Sequence, residues 1–267
     1  MMTGSVVMIT GAGRGIGASI ARLLHRRGAR LVLTDIDEVS LDGIADELGD
    51  DTVVCIGCDV TDFEAMQAAA DTAVARFGGV DMVVANAGIE QWAPVRTVEP
   101  DDFRRVIETN VIGVFNTVRA VLPSIIERRG YVLVVSSVSS YTALPGTASY
   151  AASKAGVEQF ANVLRMELSA HGVRVGSAHM SLIDTPMLRE TKFSAPGFVK
   201  LLAVLPLPLR RPLAVDECAA RLVTAIERRT RYVDVPRWLA ATRWLKPLLS
   251  TSALQRPMTK QMKHIET

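Results

Sequence analysis

The 267-residue chain holds three cysteines, 5% aromatic positions and a formal net charge of only +2. Cys55, Cys58 and Cys218 are too few for a disulfide framework and suit a reducing compartment, which points to the cytoplasm. Near-neutrality removes the general electrostatic case for nucleic acid. Long apolar runs are missing as well: "LLAVLPLPL" at 201–209 contains two prolines and falls far short of the roughly 20 residues of a spanning helix. The opening "MMTGSVVMITGAG" has a short apolar run at 6–9, then glycines, and no charged leader, so no signal peptide is expected. Repeats, low-complexity stretches and linkers are also lacking. One domain over 1–267 is the expectation.

With 49% hydrophobic positions the chain can bury a large core. "VVMIT" (6–10), "RLVLTD" (30–35), "TVVCIGCD" (52–59), "VDMVVANA" (80–87), "GYVLVVSS" (130–137) and "RVGSAHM" (174–180) read as strands, and "YVDVP" (232–236) as a weaker seventh. Amphipathic segments such as 15–28 and 62–77 lie between them. Continuous apolar strands separated by helices imply a parallel sheet covered on both faces, a doubly wound α/β architecture. Cys55 and Cys58 form a C-x-x-C, but on a strand these positions point to opposite faces, too far apart to bridge. Without further Cys or His clusters no metal site is expected.

"TGAGRGIG" (10–17) follows the first strand and opens a helix. Glycines let the backbone turn tightly and approach a diphosphate, whose charge the free N–H groups and dipole of the helix start favour. Such a loop alone can be a plain turn. Here Asp35 ends the second strand 18 positions after Gly17, the spacing of a carboxylate that holds adenosine ribose hydroxyls.

"SYAASKAG" (149–156) sets Tyr150 and Lys154 at i and i+4, neighbours on one helical face. The pair by itself is equally a solvated surface contact. As chemistry it has a purpose, because a free phenol with a pKa of about 10 is a poor base near neutral pH. An ammonium about 4 Å away contributes about 4 kcal/mol at an effective dielectric of about 20, enough to lower the phenol's pKa by about 3 before desolvation.

Together with "CDV" (58–60), "ANAG" (85–88), Asn110 and "SS" (136–137), in this order and spacing, these motifs resemble the short-chain dehydrogenase/reductase family over roughly residues 4–185. The resemblance implies a Rossmann fold of about seven strands, a nicotinamide cofactor and a catalytic set of Asn110, Ser137, Tyr150 and Lys154. Ser137 is preferred to Ser136 because it lies 13 positions before Tyr150. In oxidation Tyr150 takes the substrate's hydroxyl proton while the cofactor takes the hydride, and Ser137 holds the same oxygen. Lys154 also holds the nicotinamide ribose, and Asn110 supports a proton-returning water chain. Gly11, Arg14, Gly15, Ile16 and Gly17 are implied at the diphosphate and Asp59 and Val60 at the adenine. Asn86, Ala87 and Gly88 run along the cofactor or shape the sheet, and Asn86 fits either role. Ile183 and Thr185 are implied at the carboxamide.

Two departures stand out. Ala85 replaces the usual first asparagine, and Met180-Ser181 replaces the usual Pro-Gly, which places a side chain near the nicotinamide. Asp35 would repel the extra phosphate of NADP and is followed by Ile36, not a cation, so NAD is expected. Arg14 is the one residue able to rescue NADP. Alternative readings are a nucleotide-binding sensor without turnover, an NADP-linked carbonyl reductase, and, less well matched by the motifs, a nucleotide-dependent isomerase or epimerase.

Substrate choice falls to a loop at about 186–213, placed after the sixth strand to cover the crevice. Leu188, Phe193, Phe198, Leu201, Leu202, Leu205 and Leu207 make it apolar, which suits a bulky lipophilic alcohol or ketone of steroid-, retinoid- or long-chain-like character. The same residues could simply pack the loop. The tail at about 237–267 is basic and amphipathic: from 228 onward nine Lys or Arg face two acids. Trp238, Ala241, Thr242 and Leu245 form one face. Closure of the pocket or of a subunit interface ranks ahead of membrane-surface contact. The resemblance also implies a homodimer or homotetramer built on the helices of Asn110 and Tyr150.

Overall fold

The computed structural model describes residues 2–49, 51–205, 207–249 and 251–262. Seven strands pair in the order β3-β2-β1-β4-β5-β6-β7: β1 Val6–Thr10, β2 Arg30–Asp35, β3 Val53–Gly57, β4 Met82–Ala85, β5 Tyr131–Val135, β6 Arg174–Met180 and β7 Tyr232–Val235. Every pairing is parallel. All seven expected strands form, and several end earlier than the apolar runs suggest. β3 stops at Gly57: Cys58 N–H donates to the Asp35 carbonyl as the last rung of the ladder with β2, and the chain turns from Val60.

Alternation across the pleat divides the core. Val7 and Ile9 join Leu31, Leu33 and Leu133 under α1 (Gly15–Arg26), α2 (Glu38–Leu48) and α10 (Val215–Arg228). Val6 and Met8 join Val32, Val83 and Val132 under α3 (Phe63–Phe77), α5 (Gly113–Glu127) and α6 (Ala148–Glu167). Cys55 packs on the first cluster and Cys58 in the second, as opposite faces require. Burial pushes the Cys58 thiol up to about 11 and that of Cys218 to about 12, so neither is a thiolate near neutral pH.

The strand order reverses between β1 and β4, and the crevice at the carboxyl ends of these strands is where this architecture binds ligands. α4 (Pro100–Ile107) runs through a π-turn, Glu108–Ile112, into α5 beside that crevice. After β6 the chain forms α7 (Pro186–Ser194), α8 (Pro196–Leu202) and α9 (Leu207–Arg210). The tail adds α11 (Ala240–Leu249) and α12 (Ser252–Met262); positions 263–267 of the expected amphipathic tail lie outside the described residues.

Candidate active site

The loop between β1 and α1 is shaped by contact. A Cβ on Gly17 would stand 2.1 Å from the Gly11 carbonyl oxygen, so only glycine lets the helix start this close to the strand end. Asp35 accepts from the Gly13 N–H at 2.8 Å and from the Asp37 N–H at 3.1 Å. The Asn86 amide donates to the carbonyls of Thr10 and Gly11 at 2.9 and 3.0 Å, so its amide nitrogen is spent on tying β4 to the loop.

These groups border a cleft of about 550 Å³. Of the residues expected at the dinucleotide, Gly11, Arg14, Gly15, Ile16, Asp35, Asp59, Val60, Asn86, Ala87, Gly88, Tyr150, Lys154 and Thr185 line it. Gly17 lies buried behind it, and Ile183 instead lines a second cavity. Asp59 caps its own turn through Thr61 at 2.9 Å. Thr185 caps α7 and packs over Gly15. Arg14 is engaged by Glu190 of α7 at 2.8 Å.

Tyr150 lies in the first turn of α6, and Lys154 follows one turn later. The Lys154 Nζ donates to the Val135 carbonyl at 2.9 Å and lies 5.6 Å from the Tyr150 ring centre. Ser137 and Tyr150 line the same cavity, with Ser137 Oγ accepting from the Ser139 N–H at 3.2 Å, whereas the Ser136 hydroxyl is turned away to the Lys154 carbonyl at 3.1 Å. Asn110 is fully buried in the π-turn. Its side chain accepts from Ile89 N–H at 2.8 Å and donates to the Ile89 carbonyl and the Ser153 hydroxyl, each at 2.9 Å. The amide thus fixes the 86–90 segment against α6.

The protonation pattern differs from the simple expectation. Burial, reinforced by the charge of Glu90, raises the Tyr150 phenol well above its ordinary value, against the pull of Ser137. Burial lowers Lys154 to about 8, with Glu90 opposing. A buried phenolate loses its hydration, and the ammonium is turned toward Val135, so its attraction is too distant to win. Glu90 is itself pushed up to about 7 by burial, against the pull of Lys154. This carboxyl, facing the Tyr150–Lys154 pair, carries no motif that flags it in the sequence.

The second cavity, about 510 Å³, lies on the other side of Tyr150. Glu90, Ser137 and Tyr150 meet apolar side chains from the 186–213 segment there, including Leu188, Phe198, Leu202 and Leu205. Two of the expected lining residues point elsewhere: Phe193 is 91% exposed and Leu207 is 65% exposed. At about 100° per residue, Phe193 falls about 140° around α7 from Leu188, which faces inward. Leu201 is buried but outside the lining set. Met180 does both things the sequence left open, packing in the core and touching both cavities.

The tail also reaches this cavity, through Trp238, Thr242, Leu249 and Met258. The expected face of Trp238, Ala241, Thr242 and Leu245 is split, because Ala241 and Leu245 are exposed. Arg243 reaches back to Asp234 on β7 at 2.5 Å and stacks 3.9 Å over the Tyr232 ring. Asp234 stands 3.7 Å from His179 Nδ1, while His179 Nε2 meets Glu158 at 2.7 Å and Tyr141 at 2.8 Å. A line of polar side chains therefore runs from α6 through β6 and β7 to the tail.

A doubly wound sheet, a glycine loop at its switch point and a Ser–Tyr–Lys cluster between two cavities define a dinucleotide-dependent oxidoreductase site. The model of the family described as short chain dehydrogenase matches residues 5–194. The chain is 36% identical over 234 residues to oxidoreductase UcpA of Salmonella typhimurium, covering 84% of this chain and 89% of that protein. It is 35% identical over 195 residues to trans-4-hydroxycyclohexanecarboxylate dehydrogenase of Sinomonas cyclohexanicum, covering 70% and 75%. A short chain dehydrogenase/reductase of Burkholderia phymatum in complex with NAD superposes with a TM-score of 0.80 at 26% identity, over 91% of this chain and 92% of that one. Levodione reductase gives a TM-score of 0.80 at 27% identity, over 90% and 100%. The chain belongs to the short-chain dehydrogenase family, and it is an oxidoreductase acting on CH–OH donors.

Proposed function

We propose that the chain uses NAD to interconvert a bulky, lipophilic secondary alcohol and its ketone. The observation that carries this reading is that the two cavities meet at Tyr150, which lines both. A dinucleotide in the first and an apolar substrate in the second would bring the reacting carbons together beside the phenol. The first cavity suits a dinucleotide on its own geometry: a Cβ on Gly88 would stand 3.1 Å from Asn110 Oδ1 and 3.5 Å from Lys154 Nζ. That cradle, kept empty of side chains, opens beside the ammonium. The NAD-bound relative of Burkholderia phymatum supports the same choice. Asp35 favours NAD over NADP by charge, and Arg14, the one candidate to hold the extra phosphate, is already engaged by Glu190.

The nicotinamide, when bound, supplies the hydride acceptor and a positive charge. Ser137, which shares the second cavity with Tyr150, would hold the substrate oxygen beside the phenol. Tyr150 takes the hydroxyl proton in oxidation and returns it in reduction. Lys154 holds the nicotinamide ribose and, being charged below about pH 8, opposes the cost of forming a buried phenolate. Asn110 positions the 86–90 segment and, by family resemblance, supports the path by which the proton reaches solvent.

The second cavity's apolar lining favours a ligand with a large apolar body. Segment 186–213 and the tail act as its cover within one Rossmann unit spanning the chain. Exposed Ile112 of the π-turn, Phe115 of α5 and Val163 and Met166 of α6 support a homodimer or homotetramer through that face, and a reducing cytoplasmic setting fits the buried thiols. The substrate reading is tested by kcat/KM with NAD across secondary alcohols of increasing apolar size. Efficiency that rises with size supports it, and a preference for small polar alcohols rejects it.

A further inference from the structure

The helices that close the second cavity turn another face to solvent, and that face is both apolar and basic. Besides Phe193 and Leu207, Trp244 is 83% exposed and Leu248 is 53% exposed. On α11, Thr242 and Leu249 face the cavity. At about 100° per residue Trp244 falls about 150° and Leu248 about 110° around that helix from the cavity-facing pair. The tail therefore does not choose between closing the pocket and presenting an apolar stripe outward; different faces do each. Segments 186–213 and 237–262 carry ten Lys or Arg and one acid, Glu190, in a chain whose net charge is only +2. Among the ten, Arg189 is engaged by Asp184, Arg243 by Asp234 and Arg210 by the Leu205 carbonyl, and Lys246 also has a partner. Lys200 on α8, Arg237 ahead of α11, and Arg256 and Lys260 on α12 stand exposed, and α8 packs against α7 and α12, and α12 against α11.

We infer that this lid face, built from α7, α8, α9, α11 and α12, docks on the surface of an anionic phospholipid bilayer. Tryptophan and leucine beside cations are the composition of a helix lying in the headgroup layer, with the apolar stripe inserted and the cations among lipid phosphates. A second copy of the chain fits the face less well. In a two-fold interface the patch meets itself, which would set these cations against one another with a single acid to offset them. Docking would place the cover of the lipophilic cavity against the phase where lipophilic molecules reside. The inference goes beyond the substrate reading and does not need it, because binding to lipid is measured without substrate.

The test is co-sedimentation of the intact chain with vesicles of pure phosphatidylcholine and of phosphatidylcholine mixed with phosphatidylserine. Binding to the mixed vesicles should be at least about tenfold tighter and should weaken as salt rises. The pair Trp244→Ser with Leu248→Ser, and separately Lys200→Glu with Lys260→Glu, should each reduce that binding about tenfold or more. Their thermal unfolding midpoints should stay at the wild-type value. Equal or absent binding to both vesicle types overturns the inference, as does binding that neither pair of substitutions changes. Loss of assembly in the Trp244/Leu248 variant by light scattering, with no vesicle binding by the wild type, would assign the face to a second copy and equally overturn it.

Discussion

The Lys154 ammonium donates to the Val135 carbonyl at 2.9 Å, anchoring α6 to the end of the central strand β5. This nitrogen fixes the helix that carries Tyr150, and in the proposed mechanism it also supplies the charge that a phenolate needs. Lys154→Met keeps much of the volume and removes the charge. The expected outcome is a fall in kcat of at least about a hundredfold with a raised Kd for NAD, read by steady-state kinetics and calorimetry. Unchanged NAD affinity would separate Lys154 from the ribose.

Glu90 makes a prediction about pH. Its folded pKa of about 7 lies above the ordinary carboxyl value of 4.5, so the folded protein keeps a proton that the unfolded chain releases. Stability from this group is therefore full below about pH 4.5 and is lost as the pH rises to about 7. Glu90→Gln removes that loss. The variant should be more stable than wild type at pH 8 by about 1–3 kcal/mol, with the difference vanishing toward pH 4.5. Denaturant melts at the two pH values read it directly, and a difference independent of pH would show that Glu90 is not held protonated by burial.

The NAD reading rests on Asp35 and Ile36. Replacing them as Asp35→Ser with Ile36→Arg removes the repelling carboxylate and adds a cation, so the ratio of the NADP and NAD dissociation constants should move toward NADP by about a hundredfold. Asp35 also holds the Gly13 N–H, so some loss of NAD affinity from loosening of the loop should accompany the switch. Calorimetry with both dinucleotides measures it, and tighter NADP binding by the wild type would contradict the assignment.

Arg243 mounts the tail. Arg243→Ala leaves Asp234, buried beside His179, without its cation, at a cost of about 3 kcal/mol. The tail's grip on β7 is lost, so KM should rise for bulky alcohols more than for small ones. A uniform change in KM for all alcohols would indicate that the tail does not shape the cavity.

What the sequence could tell follows from what is local. β-Branched runs announce most strands, RVGSAHM of β6 with its single valine being the exception, and the glycine loop, Asp35, Tyr150 and Lys154 sit at spacings readable in the sequence. Phe193 was misplaced because hydrophobicity alone does not say which side of a short lid helix turns inward. Glu90 was missed because it lies in an irregular stretch after Gly88, and only the passage of that stretch across the start of α6 gives it neighbours. His179 and Glu158 were likewise invisible, since β6 and α6 bring them together from 21 positions apart. The upward shift of Tyr150 was hidden for a related reason: i,i+4 spacing gives proximity, but burial is a property of the assembled site.

The most direct test of the account is formation of reduced nicotinamide, followed by its absorbance, when wild type and Tyr150→Phe are each given NAD and a bulky secondary alcohol. Phenylalanine keeps the ring and its packing but has no proton to exchange. Wild type should turn over, and Tyr150→Phe should bind NAD with near-normal affinity while losing at least about a hundredfold in kcat. Near-normal turnover by Tyr150→Phe would contradict the mechanism.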